Sequence, residues 1–181
     1  MNELQVIAPP ASGGEREHGA GQNLSFRCMQ VALALPISRV REIIEYGQLT
    51  PVPMMPSYVL GVINLRGNVV PVVDLAGRFG AGKTEIGRRT CIIILELPAS
   101  EGMQLVGLVV DAVDEVLDID EGQIEPPPAF GAAIRSDFIL GMARHDQGFI
   151  IILKMDRLLD VDTLIPATLP QGEWGAGHAG G

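Results

Sequence analysis

Some residues in this chain have types and spacings that could do chemistry. Gly77-Arg-Phe-Gly-Ala-Gly-Lys-Thr84 satisfies the phosphate-loop pattern: Gly, four of any residue, then Gly-Lys-Thr. In a nucleotide-binding protein such a loop opens a helix, whose N-terminal amides and dipole hold the phosphates. Here it follows a strand-like run, Val69–Leu75, and Cys91–Glu96 reads as an aliphatic strand ending in an acid. Only Glu85-Ile-Gly-Arg-Arg-Thr90 separates the motif from that strand, too little for the crossover of a parallel βαβ unit. A solvated hairpin loop carrying Lys83, Arg88 and Arg89 accounts better for the segment. Nucleotide binding at Gly77–Thr84 stands as an alternative.

Other candidate chemistry is thinner. Cys28 and Cys91 each sit in an apolar, strand-like run and read as small buried hydrophobes. They cannot complete a tetrahedral thiolate site, and His18, His145 and His178 are scattered, so neither metal nor cofactor is expected. Asp111, Asp114, Glu115, Asp118, Asp120 and Glu121 form an acidic strand-and-loop face. Without an apolar cleft to raise a carboxyl pKa, that face reads as solvated surface, not as an acid–base pair. There is no serine in a nucleophile elbow and no cysteine beside a plausible histidine base. The expected protein is not an enzyme.

Composition narrows the partners. The chain has 181 residues, 13 Lys and Arg against 22 Asp and Glu, and a net charge of −9. That balance argues against nucleic acid, which needs a basic stripe. A 47% hydrophobic content is too high for disorder and suffices for a core. No secretory leader is read at the N-terminus. Tyr46 to Leu65 carries no charge, but Pro51, Pro53 and Pro56 with Gln48, Thr50, Ser57 and Asn64 would leave backbone groups unsatisfied in lipid. A soluble, cytoplasmic protein with no direct membrane insertion is expected.

The elements that must position these residues are mostly strands. Leu24–Cys28 and Val31–Leu35 read as a hairpin across Met29–Gln30, and Gly61–Leu65 and Asn68–Leu75 as a hairpin across Arg66–Gly67. Cys91–Leu97 and Leu105–Val110 flank Pro98–Gly102, and Gly141–Arg144 and Phe149–Leu153 bracket His145–Gly148. Ser38–Glu45 reads as a single turn or a bulged strand, and Asp156–Leu159 as a short helix. Residues 1–22 and 169–181 read as flexible tails, rich in Gly and poor in core-forming side chains.

The chain also echoes itself. Leu35-Pro-Ile-Ser-Arg-Val-Arg-Glu-Ile-Ile44 matches Leu108-Val-Val-Asp-Ala-Val-Asp-Glu-Val-Leu117. Gln48-Leu-Thr-Pro51 answers Gln123-Ile-Glu-Pro126, and Gly61 to Leu75 answers Gly141 to Leu153. Blocks kept in order predict related modules, each a small five-stranded barrel that must share a seam with the other.

Gly61-Val-Ile-Asn-Leu-Arg-Gly67 and Val70-Pro-Val-Val-Asp-Leu75 resemble the signature of the CheW family, the coupling proteins of bacterial chemosensory arrays. So do the segment from Leu35 to Ile44, Thr50-Pro-Val-Pro53, Gly107 to Val116, and Ile124-Glu-Pro-Pro-Pro128. The resemblance spans Leu24 to Leu164 and implies an all-β fold, two five-stranded SH3-like barrels sharing a hydrophobic seam. The domain is placed at 23–168, with a first barrel at about 36–97 and a second at about 98–168 that takes in the N-terminal strand 23–35. The resemblance implies a non-enzymatic adaptor between the helical tip of a methyl-accepting chemoreceptor and the regulatory domain of the histidine kinase CheA. The receptor would lie in the groove between barrels. A scaffold of a chemosensory pathway not tied to motility is the alternative within the fold.

Carried over position by position, the receptor-binding residues are Val40, Glu42, Gly61, Arg66, Ile92 and Val116, with Val40, Ile92 and Val116 supplying apolar contact. The kinase-binding residues are Leu49, Pro51, Met54 and Val70, with Phe130 at a ring-forming contact. Glu42 and Arg66 are predicted to pair. Asn64 and Gly67 suit a turn, and Asp74 ends a strand where its carboxylate can satisfy backbone amides. The chain departs from the family at the Met29–Gln30 tip, in the basic Gly77–Arg89 loop and in its longer N-terminal tail.

Overall fold

A computed structural model describes residues 19–127, 134–146 and 148–164. Phe130, most of the N-terminal tail and all of the C-terminal tail lie outside the described residues. The strands are β1 (Gly21–Cys28), β2 (Val31–Pro36), β3 (Val40–Glu45), β4 (Val59–Leu65), β5 (Asn68–Asp74), β6 (Cys91–Ala99), β7 (Gly102–Val110), β8 (Ala112–Ile119), β9 (Ile124–Glu125), β10 (Ile139–His145) and β11 (Gly148–Leu153). Short helices follow β5 and β11: α1 (Leu75–Arg78), α2 (Met155–Leu158) and α3 (Val161–Leu164).

Hydrogen bonding sorts the strands into two sheets, ordered β3-β6-β7-β5-β4 and β8-β1-β2-β11-β10-β9. The all-β, two-barrel expectation holds, and the N-terminal hairpin β1–β2 does lie in the second sheet. Three boundaries differ. β7 lies between β6 and β5, so the sheets divide after Val110 and not near residue 97, because the tight turn at Ser100 and Glu101 returns β7 directly onto β6. β1 begins at Gly21, paired with Ile119, two residues into the expected tail. The second sheet gains a short sixth strand, β9, on β10.

The two orders are the same architecture cut at different points. β3, β6, β7, β5 and β4 correspond to β8, β1, β2, β11 and β10, with the parallel pair β5–β7 matching β11–β2. The repeated sequence blocks fall on matching places. Val40 begins β3 and Val113 is the second residue of the matching edge strand β8, each followed by a register shift against its neighbour. Thr50 bridges Val62, as Glu125 pairs with Met142.

Local chemistry fixes the turns. Met29 and Gln30 have φ of 55° and 65°, the left-handed pair that a two-residue hairpin of matching twist requires. Neither is glycine, and the strain is held by Asp111, whose carboxylate accepts from the Met29 N–H at 2.9 Å. Arg66 and Gly67 take φ of 51° and 86°, and the Gly67 N–H donates to Asn64 Oδ1 at 2.9 Å, so Asn64 and Gly67 make the turn as expected. Ser38–Glu45 resolves into a single turn at Ile37–Arg39 and then the bulged strand β3.

The core has three parts. The largest is the seam, where Leu24, Phe26, Leu33 and Leu35 of the second sheet join Ile93, Leu95, Val106 and Leu108 of the first. Val70, Val72, Ile92, Ile94 and Val109 fill the first barrel, and Ile119, Ala143 and Ile152 the smaller second one. Each large aliphatic side chain buried there stabilises by roughly 1.5–3 kcal/mol.

Candidate functional site

β3 and β4 are the two ends of the first sheet, and they are not neighbours in it. Yet Glu42 on β3 meets Arg66 at the β4–β5 tip, with Arg66 Nη2 donating to Glu42 Oε2 at 2.8 Å. The pair forms as predicted, and it forms because the sheet curls until its ends approach. The partners differ in environment: the Glu42 side chain is 9% exposed and that of Arg66 is 71% exposed. The hydrogen bond to Glu42, and then its charge, hold the guanidinium above its ordinary pKa. Glu42 Oε1 is buried and has no protein donor among the described residues. The result is a cation held in place from beneath by a shielded carboxylate and open to a partner from above.

Gly61 lies in β4 beneath the chain that follows β3. A Cβ there would come within 2.4 Å of the Thr50 carbonyl oxygen, so only glycine lets the two backbones bridge. Val116 stands on β8 in the other sheet, half-buried against the seam.

Other expected contact residues point inward. Val40 is 2% exposed and packs in the seam, while Ile92 is 1% exposed and fills the first barrel. Val70 is wholly buried beside Ile92. These three support the surface and do not present one, which corrects the expected apolar contact from Val40 and Ile92 and from Val70. Alternation along a strand sends them to the core face. Leu49 is half-buried against the same cluster. Pro51 is exposed, and Met54 is fully exposed in the β3–β4 connection, with φ of 63°.

The Gly77–Thr84 segment does not build a phosphate loop. α1 ends at Arg78, before the Gly-Lys-Thr, and no helix lies between Thr84 and β6. Instead the Thr84 N–H and hydroxyl both donate to the carboxylate of Asp74, which is 1% exposed. Asp74 thus satisfies a backbone amide as expected, and it ties the loop to the end of β5. Thr84 is committed to protein and the helix N-terminus is missing, so the motif lacks both devices that hold a nucleotide.

The thiols are inert. Burial, with Asp111 and Asp74 nearby, pushes Cys28 up to about 12, and burial with Glu45 raises Cys91. Neither is a thiolate near neutral pH. Among the described residues no group of His, Cys, Asp and Glu could hold a metal ion.

Sequence reasoning missed Arg78. Its guanidinium lies 5.1 Å from the Tyr58 ring centre and 4.7 Å from that of Phe138, and its Nε donates to the Leu158 carbonyl at 2.7 Å. It joins the two barrels at their ends. The available signal was the repeat itself, which sets Tyr58 against Phe138, each just before a matching strand.

Comparison with known proteins agrees with this architecture. The family model for the CheW-like domain matches residues 22–163. A chemotaxis protein CheW from Bacillus subtilis (strain 168) is 38% identical over 130 residues, covering 72% of this chain and 81% of the relative. One from Rhizobium meliloti (strain 1021) is 34% identical over 139 residues, covering 77% and 87%. The crystal structure of the scaffolding protein TtCheW from Thermoanaerobacter tengcongensis superposes with a TM-score of 0.69 at 38% identity, covering 80% of this chain and 90% of that one.

Proposed function

From the premise that the chain belongs to the CheW family, we propose that it couples the cytoplasmic tip of a methyl-accepting chemoreceptor to the regulatory domain of a CheA-type histidine kinase. It is a chemotaxis scaffold, and in this reading it works by geometry, not by chemistry of its own. The observation that carries the reading is the Glu42–Arg66 pair at 2.8 Å. Its guanidinium is pre-positioned at a hairpin tip and largely exposed, so little side-chain entropy remains to be lost on docking. A receptor helix lying in the groove between barrels would meet Arg66 on one side and Val116 on the other. The β3–β4 connection, with Pro51 and Met54 exposed, offers the kinase a separate surface. Separate faces let individually weak contacts combine when the partners are held in an array. No helix among the described residues is long and apolar enough to cross a membrane. Recruitment to the membrane-associated array would then come through the receptor.

Co-sedimentation with a receptor cytoplasmic fragment and CheA from the same organism tests this. Wild type should pellet with both partners, and Arg66→Glu should lose the receptor while keeping the kinase. Retention of the receptor by Arg66→Glu would remove Arg66 from the contact. Failure of wild type to join either partner would overturn the coupling role.

A further inference from the structure

The protein carries 13 Lys and Arg against 22 Asp and Glu, yet four of its cations line one hollow. The hollow holds about 460 Å³ and is lined by Arg78, Arg135, Asp137, Phe138, Lys154 and Arg157. It lies where the barrels meet end to end. Arg78 comes from α1, directly after β5 of the first barrel, while Lys154 and Arg157 come from the start and interior of the matching turn after β11.

The cations there are held differently from solvated surface charges. Arg78 is clamped between Tyr58 and Phe138 and fastened through Nε to Leu158, which leaves its terminal nitrogens as donors. Phe138 forms the floor, 4% exposed, with Arg135 also over its ring at 5.5 Å. The lone carboxylate in the lining, Asp137, is taken by Arg135 at 2.7 Å. Asp156 and Asp160, on the same segment as Lys154 and Arg157, do not line the hollow. Four cations against one carboxylate leave three net positive charges in a molecule whose overall charge is −9. Concentrating like charge in a concave site is unfavourable unless an anion occupies it.

The geometry points to an oxyanion site of the diphosphate class at this junction. Planar guanidinium groups match phosphate oxygens in pairs, Lys154 supplies a point charge, and a diphosphate carries about the charge that the lining leaves uncompensated. A single carboxylate or chloride would leave most of that charge unmet. Because Arg78 belongs to the first barrel and Lys154 and Arg157 to the second, an occupant would bridge the two. It would stabilise their mutual placement by binding only the assembled state.

Isothermal titration of the full chain with inorganic diphosphate, at fixed ionic strength, tests the site. Wild type should bind saturably with one site. The double variant Lys154→Glu/Arg157→Glu should weaken binding at least about tenfold, a difference of about 1.4 kcal/mol. Lys83→Glu/Arg88→Glu, in the separate cleft beside the Gly77–Arg89 loop, should bind within about twofold of wild type. Both pairs are at the surface, and equal thermal midpoints without ligand would show that the fold is intact. Side-chain resonances of Arg78 should shift on titration of wild type. Titration with ADP identifies the source: equal affinity places the diphosphate group alone in the site, and much tighter ADP binding makes a nucleotide the natural occupant. Absence of saturable binding, or equal weakening in both double variants, overturns the site.

Discussion

The two barrels share a strand order but put opposite charges at matching positions. At the tip after β4 the first barrel has Arg66, and the second has Asp146 at the same place, with φ of 51° and 52°. After β5 the first has Asp74, and after β11 the second has Lys154; their N–H groups donate to Tyr58 and Phe138 carbonyls at 2.7 and 2.8 Å. Glu42 is nearly buried and meets Arg66, while its counterpart Glu115 has a 61% exposed side chain and lies 3.7 Å from His145. Strand pairing is thus indifferent to these charges. The same backbone frame serves as two differently charged faces, so what each barrel can bind is decided by side chains at its tips.

The sharpest break between the barrels should come from glycine. A Cβ on Gly61 would strike the Thr50 backbone, oxygen at 2.4 Å and carbon at 2.9 Å, where φ is already +153°. On Gly141 it would meet the Ile124 Cγ2 methyl at 2.6 Å and the Glu125 carbonyl oxygen only at 3.1 Å, with no positive φ to add strain. Gly61→Ala should therefore cost about 3 kcal/mol and Gly141→Ala about 1 kcal/mol in urea unfolding. Equal costs would mean that the two bridges are equally rigid, and would remove the contrast.

Asp74 against Lys154 is the next contrast. Asp74→Ala removes the acceptor for both the Thr84 amide and its hydroxyl, and should cost about 2 kcal/mol. It should also speed amide exchange in residues 80–90, without altering the second barrel. Lys154→Ala touches no such anchor, and its stability should stay within about 0.5 kcal/mol of wild type.

How much of this was legible beforehand follows from the same contrast. The repeat was readable because backbone geometry imposes it: Gly61 and Gly141 must yield to a crossing chain, and Val40 and Val113 each precede the bulge of an edge strand. The Glu42–Arg66 pair was accessible through family motifs. The division after Val110 was not, because the β6–β7 and β1–β2 hairpins look alike in sequence and only pairing assigns them. Nor was the inward direction of Val40, Val70 and Ile92, since a motif marks a position without giving the face of a curled strand. Arg78 was hidden because its partners, Tyr58, Phe138 and Leu158, lie far from it in sequence.

A smaller contrast lies within the core. Phe26 faces Val113 as Leu95 faces Val40, so two residues further on Cys28 of β1 corresponds to Leu97 of β6, a thiol where the first barrel carries an aliphatic side chain. The Cys28 pKa is raised in the fold from 9.0 to about 12. A raised folded pKa contributes stability that is whole below pH 9 and is lost as pH rises through 9 toward 12. Unfolding free energy should fall by roughly 1 kcal/mol between pH 9 and pH 10 from this group. Cys28→Val should flatten that slope, and an unchanged slope would assign the alkaline loss to other groups.

The least of these effects on stability concerns the ion pairs, and it separates fold from function. Arg66 is exposed, so solvent screens its attraction for Glu42. Removing it still leaves a nearly buried carboxylate whose Oε1 already lacks a donor. His145→Ala leaves behind only the exposed Glu115 and Asp146. Arg66→Ala should therefore lower the thermal midpoint more than His145→Ala, and Glu42→Gln in the Arg66→Ala background should recover part of the loss, because the uncompensated charge is gone. Receptor binding should behave in the opposite way: the double variant regains stability but not the receptor, since the guanidinium itself is missing. If the double variant recovered both, Arg66 would act only by neutralising Glu42, and the exposed face of the pair would have no part in recognition.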